Sequence, residues 1–157
     1  MRNLVLMGTA LAALVAASAG AQPAPPTPEQ LAQRAAELRQ SVFKLQGWNM
    51  DPLAGMLRGT VPFDAAVIEA NATNIVNLSL MIPPVFVDDT TAFEVETVAL
   101  DRIWTSKSEF EAKAAALTEA ANALVAAAGA GNDAATRAAI AGVGQACGSC
   151  HDDFRAN

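Results

Sequence analysis

This chain of 157 residues has no tyrosine, one histidine and two cysteines. Two cysteines cannot build the multi-bridge framework of a small disulfide domain. Together with the single histidine they fall short of the four ligands of a structural zinc site. No second histidine is left for an acid–base or nucleophilic constellation, so enzymatic turnover is not expected. Aromatic residues make up only 5% of the chain. Alanine is plentiful instead, which suits close packing of helices. No strand-like alternation of useful length is present, which argues against a sheet. Beyond the first residues no apolar run is long enough to span a bilayer, so the chain is not expected to be embedded in a membrane. Basic residues are scarce: ten Lys and Arg stand against sixteen Asp and Glu, a formal charge of −6. That balance argues against nucleic acid and against anionic lipid, and suits a basic protein partner of unspecified identity.

What the chain does have is concentrated at its end. Cys147-Gly148-Ser149-Cys150-His151 uses both cysteines and the only histidine. Cys-x-x-Cys-His is the attachment signature of c-type haem, in which two thiols join the porphyrin and the imidazole binds iron. One covalent haem c is therefore expected, held by Cys147 and Cys150 with His151 as axial ligand. A thioredoxin-like redox pair needs a βαβ setting, which is missing here. A bare disulfide at this spacing is awkward inside a helix and leaves the histidine unexplained.

The opposite end reads as a leader. Arg2 precedes an apolar stretch over 4–17, and small residues follow to Ala19-Gly20-Ala21. This is the pattern of a secretory signal peptide over 1–21, cleaved after Ala21. Export to the periplasm agrees with covalent haem attachment. Without Arg2 the remaining chain, 22–157, carries a formal charge of −7.

Between the two ends the pattern is helical. Thr27 is a candidate cap and Pro28 suits a first helical position. Leu31, Ala35, Leu38, Val42 and Leu45 form an apolar stripe at helical spacing, read as the core face of the first helix. Pro52, Gly55 and Gly59 are expected to loosen its end. Asp64 is a candidate cap for a second helix with Ile68, Ala72, Ile75, Leu78 and Ile82 inward, stopped by Pro83-Pro84. Residues 85–105 have no period, and a connection this long in a compact domain usually covers a site. A third helix begins near Ser106 or Ser108 and buries Phe110, Ala114, Leu117, Ala121, Leu124 and Ala128. Gly129 and Gly131 end it. Asn132 or Asp133 caps a fourth helix with Ile140, Val143 and Ala146 ahead of the haem motif. The sum is an all-α, antiparallel up-down four-helix bundle.

On the fourth helix Cys147, His151 and Arg155 share a face. Arg155, one turn past the ligand, can meet a molecule on that side of the iron or a propionate. On the first helix Arg39, Gln40 and Phe43 make a second surface beside the apolar stripe. Arg39 and Gln40 suit a propionate, and Phe43 suits a roof over the iron.

The chain resembles cytochrome c′, a class II c-type cytochrome. The resemblance rests on Arg39-Gln40, Gly59 with Pro62-Phe63-Asp64, Ile103-Trp104 and the segment from Cys147 to Arg155, and it covers essentially all of 22–157. Low-spin members of the family, the c-556 type, place a methionine on the first helix as sixth ligand. The corresponding position here is Phe43, which cannot coordinate iron, and Met50 lies two turns away, about 10 Å at helical rise. The resemblance therefore implies five-coordinate iron under an apolar ring, binding NO and CO, with one-electron transfer as a second capacity. The alternative is a low-spin electron carrier of the c-556 type with a hidden sixth ligand. The family also implies pairing as a homodimer through the first two helices.

Overall fold

A computed structural model describes residues 24–156. The leader expected over 1–21 lies outside them. Six helices follow in order: α1 Pro28–Arg58, α2 Ala65–Ser79, α3 Ile82–Val85, α4 Arg102–Thr105, α5 Lys107–Gly129 and α6 Asp133–Phe154. The four long ones form the antiparallel bundle. α5 is the central member, packed broadly on α2 and α6, while α1 lies against α2 and α6. Among the described residues no helix is long and apolar enough to cross a membrane.

The helix ends follow local chemistry. The Thr27 hydroxyl accepts from the Gln30 backbone, and the Gln30 side chain accepts from the Thr27 backbone, a reciprocal capping box with Pro28 behind it. The Asp64 carboxylate accepts from the N–H groups of Ala66 and Val67 and starts α2. The Asn132 side chain accepts from Ala135 and starts α6. Pro52 does not loosen α1: the helix runs on to Arg58 and stops at Gly59, whose φ of 72° is the left-handed cap that glycine adopts freely. Gly55 is likewise inside the helix. A Cβ there would meet the Val61 side chain at 2.5 Å, so this glycine lets the returning chain cross closely. Pro83-Pro84 does not follow a helix directly. α2 ends at Ser79, and the prolines form the short α3 themselves.

The stripe read for α5 is buried at every position from Phe110 to Ala128. Ile68, Ala72 and Ile75 of α2 and Ile140 and Val143 of α6 meet it in one core cluster. The phase of α1 differs from the sequence reading. Of the expected stripe only Val42 is fully buried, while Leu31, Leu38 and Leu45 are 53%, 55% and 51% exposed. The inward face is Ala32, Ala36, Arg39, Val42, Gln46, Asn49, Leu53 and Met56. Three polar side chains replace three leucines on the buried side: Arg39 and Gln46 line the site, and Asn49 bonds to α2 through Asn74.

Candidate functional site

The last turns of α6 place Cys147 and Cys150 on the wall of a cavity of about 720 Å³, with His151 and Arg155 on the same lining. α1 supplies the facing wall with Arg39, Gln40 and Phe43. All seven residues singled out in the sequence thus meet around one space. The connection between α3 and α4, without a period in the sequence, closes the cavity through Glu96, Thr97, Val98 and Ala99.

Arg39 holds that connection in place. It is only 7% exposed. Its Nε donates to the Val85 carbonyl (2.9 Å), and its two terminal nitrogens donate to the Thr90 hydroxyl (2.8 Å) and the Asp88 carbonyl (2.6 Å). The guanidinium also lies over the rings of Phe86 and Trp104, at 4.9 and 5.1 Å. Burial pulls its pKa down, opposed by the charges of Asp88 and Asp89. Three of its five N–H groups are spent on the protein, which leaves two for an anion. Gln40 donates to the Glu96 carbonyl at 2.7 Å and holds the same connection further along. Its far end pairs with the chain after α6: Leu100 N–H donates to the Phe154 carbonyl (2.9 Å) and Ala156 N–H to the Val98 carbonyl (2.8 Å), around the bridge between Ala99 and Arg155.

The thiols are free and half-buried. Burial raises both pKa values, and the nearby Lys113 ammonium partly opposes this at Cys150. His151 is shifted down by burial and by the Arg155 charge, with Asp152 opposing. A lowered pKa favours the neutral imidazole, the form that donates a lone pair to a metal. Lys113 of α5 was not legible as a site residue. Its ammonium donates to the Ser149 hydroxyl (2.6 Å) and pairs with Asp153 (2.8 Å), which fastens the motif segment to α5. Phe86 was also missed. It is buried between Phe43 (6.1 Å between ring centroids) and Phe110 (4.8 Å), and Phe110 in turn meets Phe154 edge-on at 5.4 Å. No periodicity marks a single aromatic at the end of a proline turn.

The α1 wall is not a wholly apolar ring, as the family resemblance implied. Asn49 is buried but satisfied: it donates to the Leu45 carbonyl and accepts from Asn74 of α2. Gln46 lines the cavity, and its buried Nε2 has no partner among the described residues. These observations together test whether a haem fits. The cavity volume is within the roughly 300–1,000 Å³ of cofactor pockets. Two thiols and an imidazole stand on one wall, and the lining around them is mostly apolar. The residues fit the group.

The chain matches the family model described as Cytochrome C′ over residues 34–155. It is 39% identical to a cytochrome c′ of Cereibacter sphaeroides over 153 residues, 96% of either chain. Among solved structures it is similar to cytochrome c prime from Shewanella frigidimarina, with a TM-score of 0.75 and 33% identity over 80% of this chain and 97% of that one. It is also similar to a nitric oxide complex of a variant cytochrome c prime from Alcaligenes xylosoxidans, with a TM-score of 0.71 and 31% identity over 80% and 97%.

Proposed function

The chain belongs to the cytochrome c′ family, and from that premise we propose that it is an exported protein that binds NO and CO at five-coordinate iron and passes single electrons. Its prosthetic group is one covalently bound haem c, which when bound supplies one-electron chemistry and an iron site for small ligands. Cys147 and Cys150 attach it. His151 holds the iron through a neutral imidazole, and Arg155 guards that side. Arg39, through its two remaining donors, and Gln40 meet the propionates. The mostly apolar lining takes NO and CO at little desolvation cost and disfavours anions, which lose their hydration on entry. Steering of a basic redox partner rests on the acidic charge, and delivery to the periplasm rests on the leader expected over 1–21.

The observation that carries the reading is the facing wall. Phe43 lines it, at the position where the c-556 type carries its methionine, and its ring has no donor atom. We expect Phe43→Met to move the reduced spectrum toward low spin. An unchanged spectrum means that Phe43 does not face the iron. One observation favours the second reading, a low-spin carrier: Met50 lines the same cavity, whereas Met56 is core and Met81 is exposed. Met50→Leu separates the two. The five-coordinate reading expects no spectral change, and the low-spin reading expects loss of a sharp α band.

A homodimer belongs to the same proposal. Leu31, Leu38 and Leu45 recur every seven residues on the outer face of α1, and Trp48 beside them is 76% exposed. An outward apolar heptad stripe is what a pairing helix carries. Leu38→Glu with Leu45→Glu is expected to give a monomer in analytical ultracentrifugation. A wild-type protein that sediments as a monomer contradicts the pairing.

A further inference from the structure

We infer that the outer face of the connection between α3 and α4 is the docking surface for a basic redox protein, which inserts a lysine or arginine side chain into a second cavity lined by Glu94, Glu96 and Asp101. The inference rests on the one-electron reading above and deepens it by placing the partner. Four observations carry it. First, the charge of the connection is of one sign. Residues 86–101 hold Asp88, Asp89, Glu94, Glu96 and Asp101 and no lysine or arginine. All five acidic residues are exposed. Val87 and Val98, 73% and 56% exposed, add apolar area among them. Apolar contact within a polar rim is the make-up of a protein interface.

Second, three of the acidic residues converge. Glu94, Glu96 and Asp101 line one cavity of about 430 Å³. Among the described residues none of their carboxylates is in an ion pair. The one cation on that lining, Arg39, is buried and bonded to three oxygens of the protein. Lys107, over the ring of Trp104 on the same lining, is held by the Phe86 carbonyl and by Glu111. The carboxylates are too dispersed to chelate: among the described residues no group of three or more His, Cys, Asp or Glu could hold a metal ion. The flexible stem of a partner's lysine or arginine suits such spacing better than a dehydrated ion does.

Third, the second cavity adjoins the one that takes the haem. Phe86, Glu96, Thr97, Ala99 and Ile103 line both. A partner seated here is one layer of chain from the prosthetic group. Trp104 on its wall packs against Phe86, with 6.0 Å between ring centroids. Fourth, the rest of the haem cavity carries the opposite sign, with Lys44, Lys113 and Arg155 against Asp51. A basic protein is therefore steered to the connection.

The test uses the mature holoprotein and mitochondrial cytochrome c as the basic redox protein. Electron transfer between them is followed by stopped flow at low ionic strength. Wild type is compared with Glu94→Gln/Glu96→Gln/Asp101→Asn and with a variant of equal charge change elsewhere, Glu29→Gln/Glu69→Gln/Glu119→Gln. Each substitution keeps the shape of an exposed side chain, so both variants are expected to fold. The first is expected to lose roughly tenfold in second-order rate and the second less than about twofold, since steering depends on where the charge sits. High salt is expected to erase the difference. Equal losses assign the effect to net charge and overturn the inference. A second readout needs no electron. Carbodiimide joins a carboxylate to a lysine amine with loss of water, and mass spectrometry is expected to find the cross-links at Glu94, Glu96 or Asp101. Cross-links confined to other carboxylates overturn the inference. Cross-links at these residues without any electron exchange overturn the one-electron reading, and with it the redox role of the surface.

Discussion

Replacing Cys147 and Cys150 together by serine is expected to leave no pigment bound to the denatured protein. Each thiol adds its S–H across a vinyl C=C of the porphyrin, forming one C–S and one C–H bond. Serine hydroxyls do not do this under the same conditions. Both thiols are free, half-buried and face the cavity, so each is placed to react. Burial keeps them as thiols rather than thiolates near neutral pH. Each single variant is expected to retain haem through one thioether, and the double variant none. Mass measurement of the denatured chains distinguishes the three cases. The double variant is also expected to melt lower, because without its bound group a space of about 720 Å³ is left between α1, α5 and α6. Retained haem in the double variant would mean attachment elsewhere.

Arg39→Leu is expected to lose about 2–4 kcal/mol of stability, because it leaves three oxygens without a donor, each costing about 1–3 kcal/mol when buried. Three acceptors lose their donor at once: the carbonyls of Val85 and Asp88, and the Thr90 hydroxyl. The guanidinium contacts with the rings of Phe86 and Trp104 go as well. Leucine fills part of the volume but satisfies none of the oxygens. Arg39→Lys is not expected to rescue the loss, since a single ammonium cannot reach three acceptors in the planar fork that arginine spans. Denaturant titration of both variants checks the magnitude. A loss below about 1 kcal/mol would make the network ornamental.

The same arginine shows where sequence reading succeeds and fails. α5 faces a purely apolar core, so its stripe from Phe110 to Ala128 reads directly as the buried face. The caps at Thr27, Asp64 and Asn132 are legible because each is a local exchange of hydrogen bonds. The phase of α1 is not, since the rule that the most apolar stripe faces inward assumes one apolar partner. α1 has two other obligations. Its inner face needs Arg39 and Asn49 for buried polar contacts and Gln46 toward the cavity, and its leucines face outward. The haem motif is legible in five residues because covalent chemistry dictates spacing. Lys113 and Phe86 are not, because they reach the site from other elements through contacts that no local pattern encodes. The stretch 85–105 is expected to cover a site, and its part between α3 and α4 lines the cavity. What holds it shut depends on Arg39 and Gln40, which lie more than forty residues earlier in the chain.

The central claim is a haem held by one protein nitrogen and open on the face toward α1. The absorption spectrum of the reduced protein, with and without CO, tests it most directly. The account predicts a broad, high-spin, five-coordinate spectrum that converts when CO is added. A sharp low-spin α band that CO leaves unmoved would contradict it.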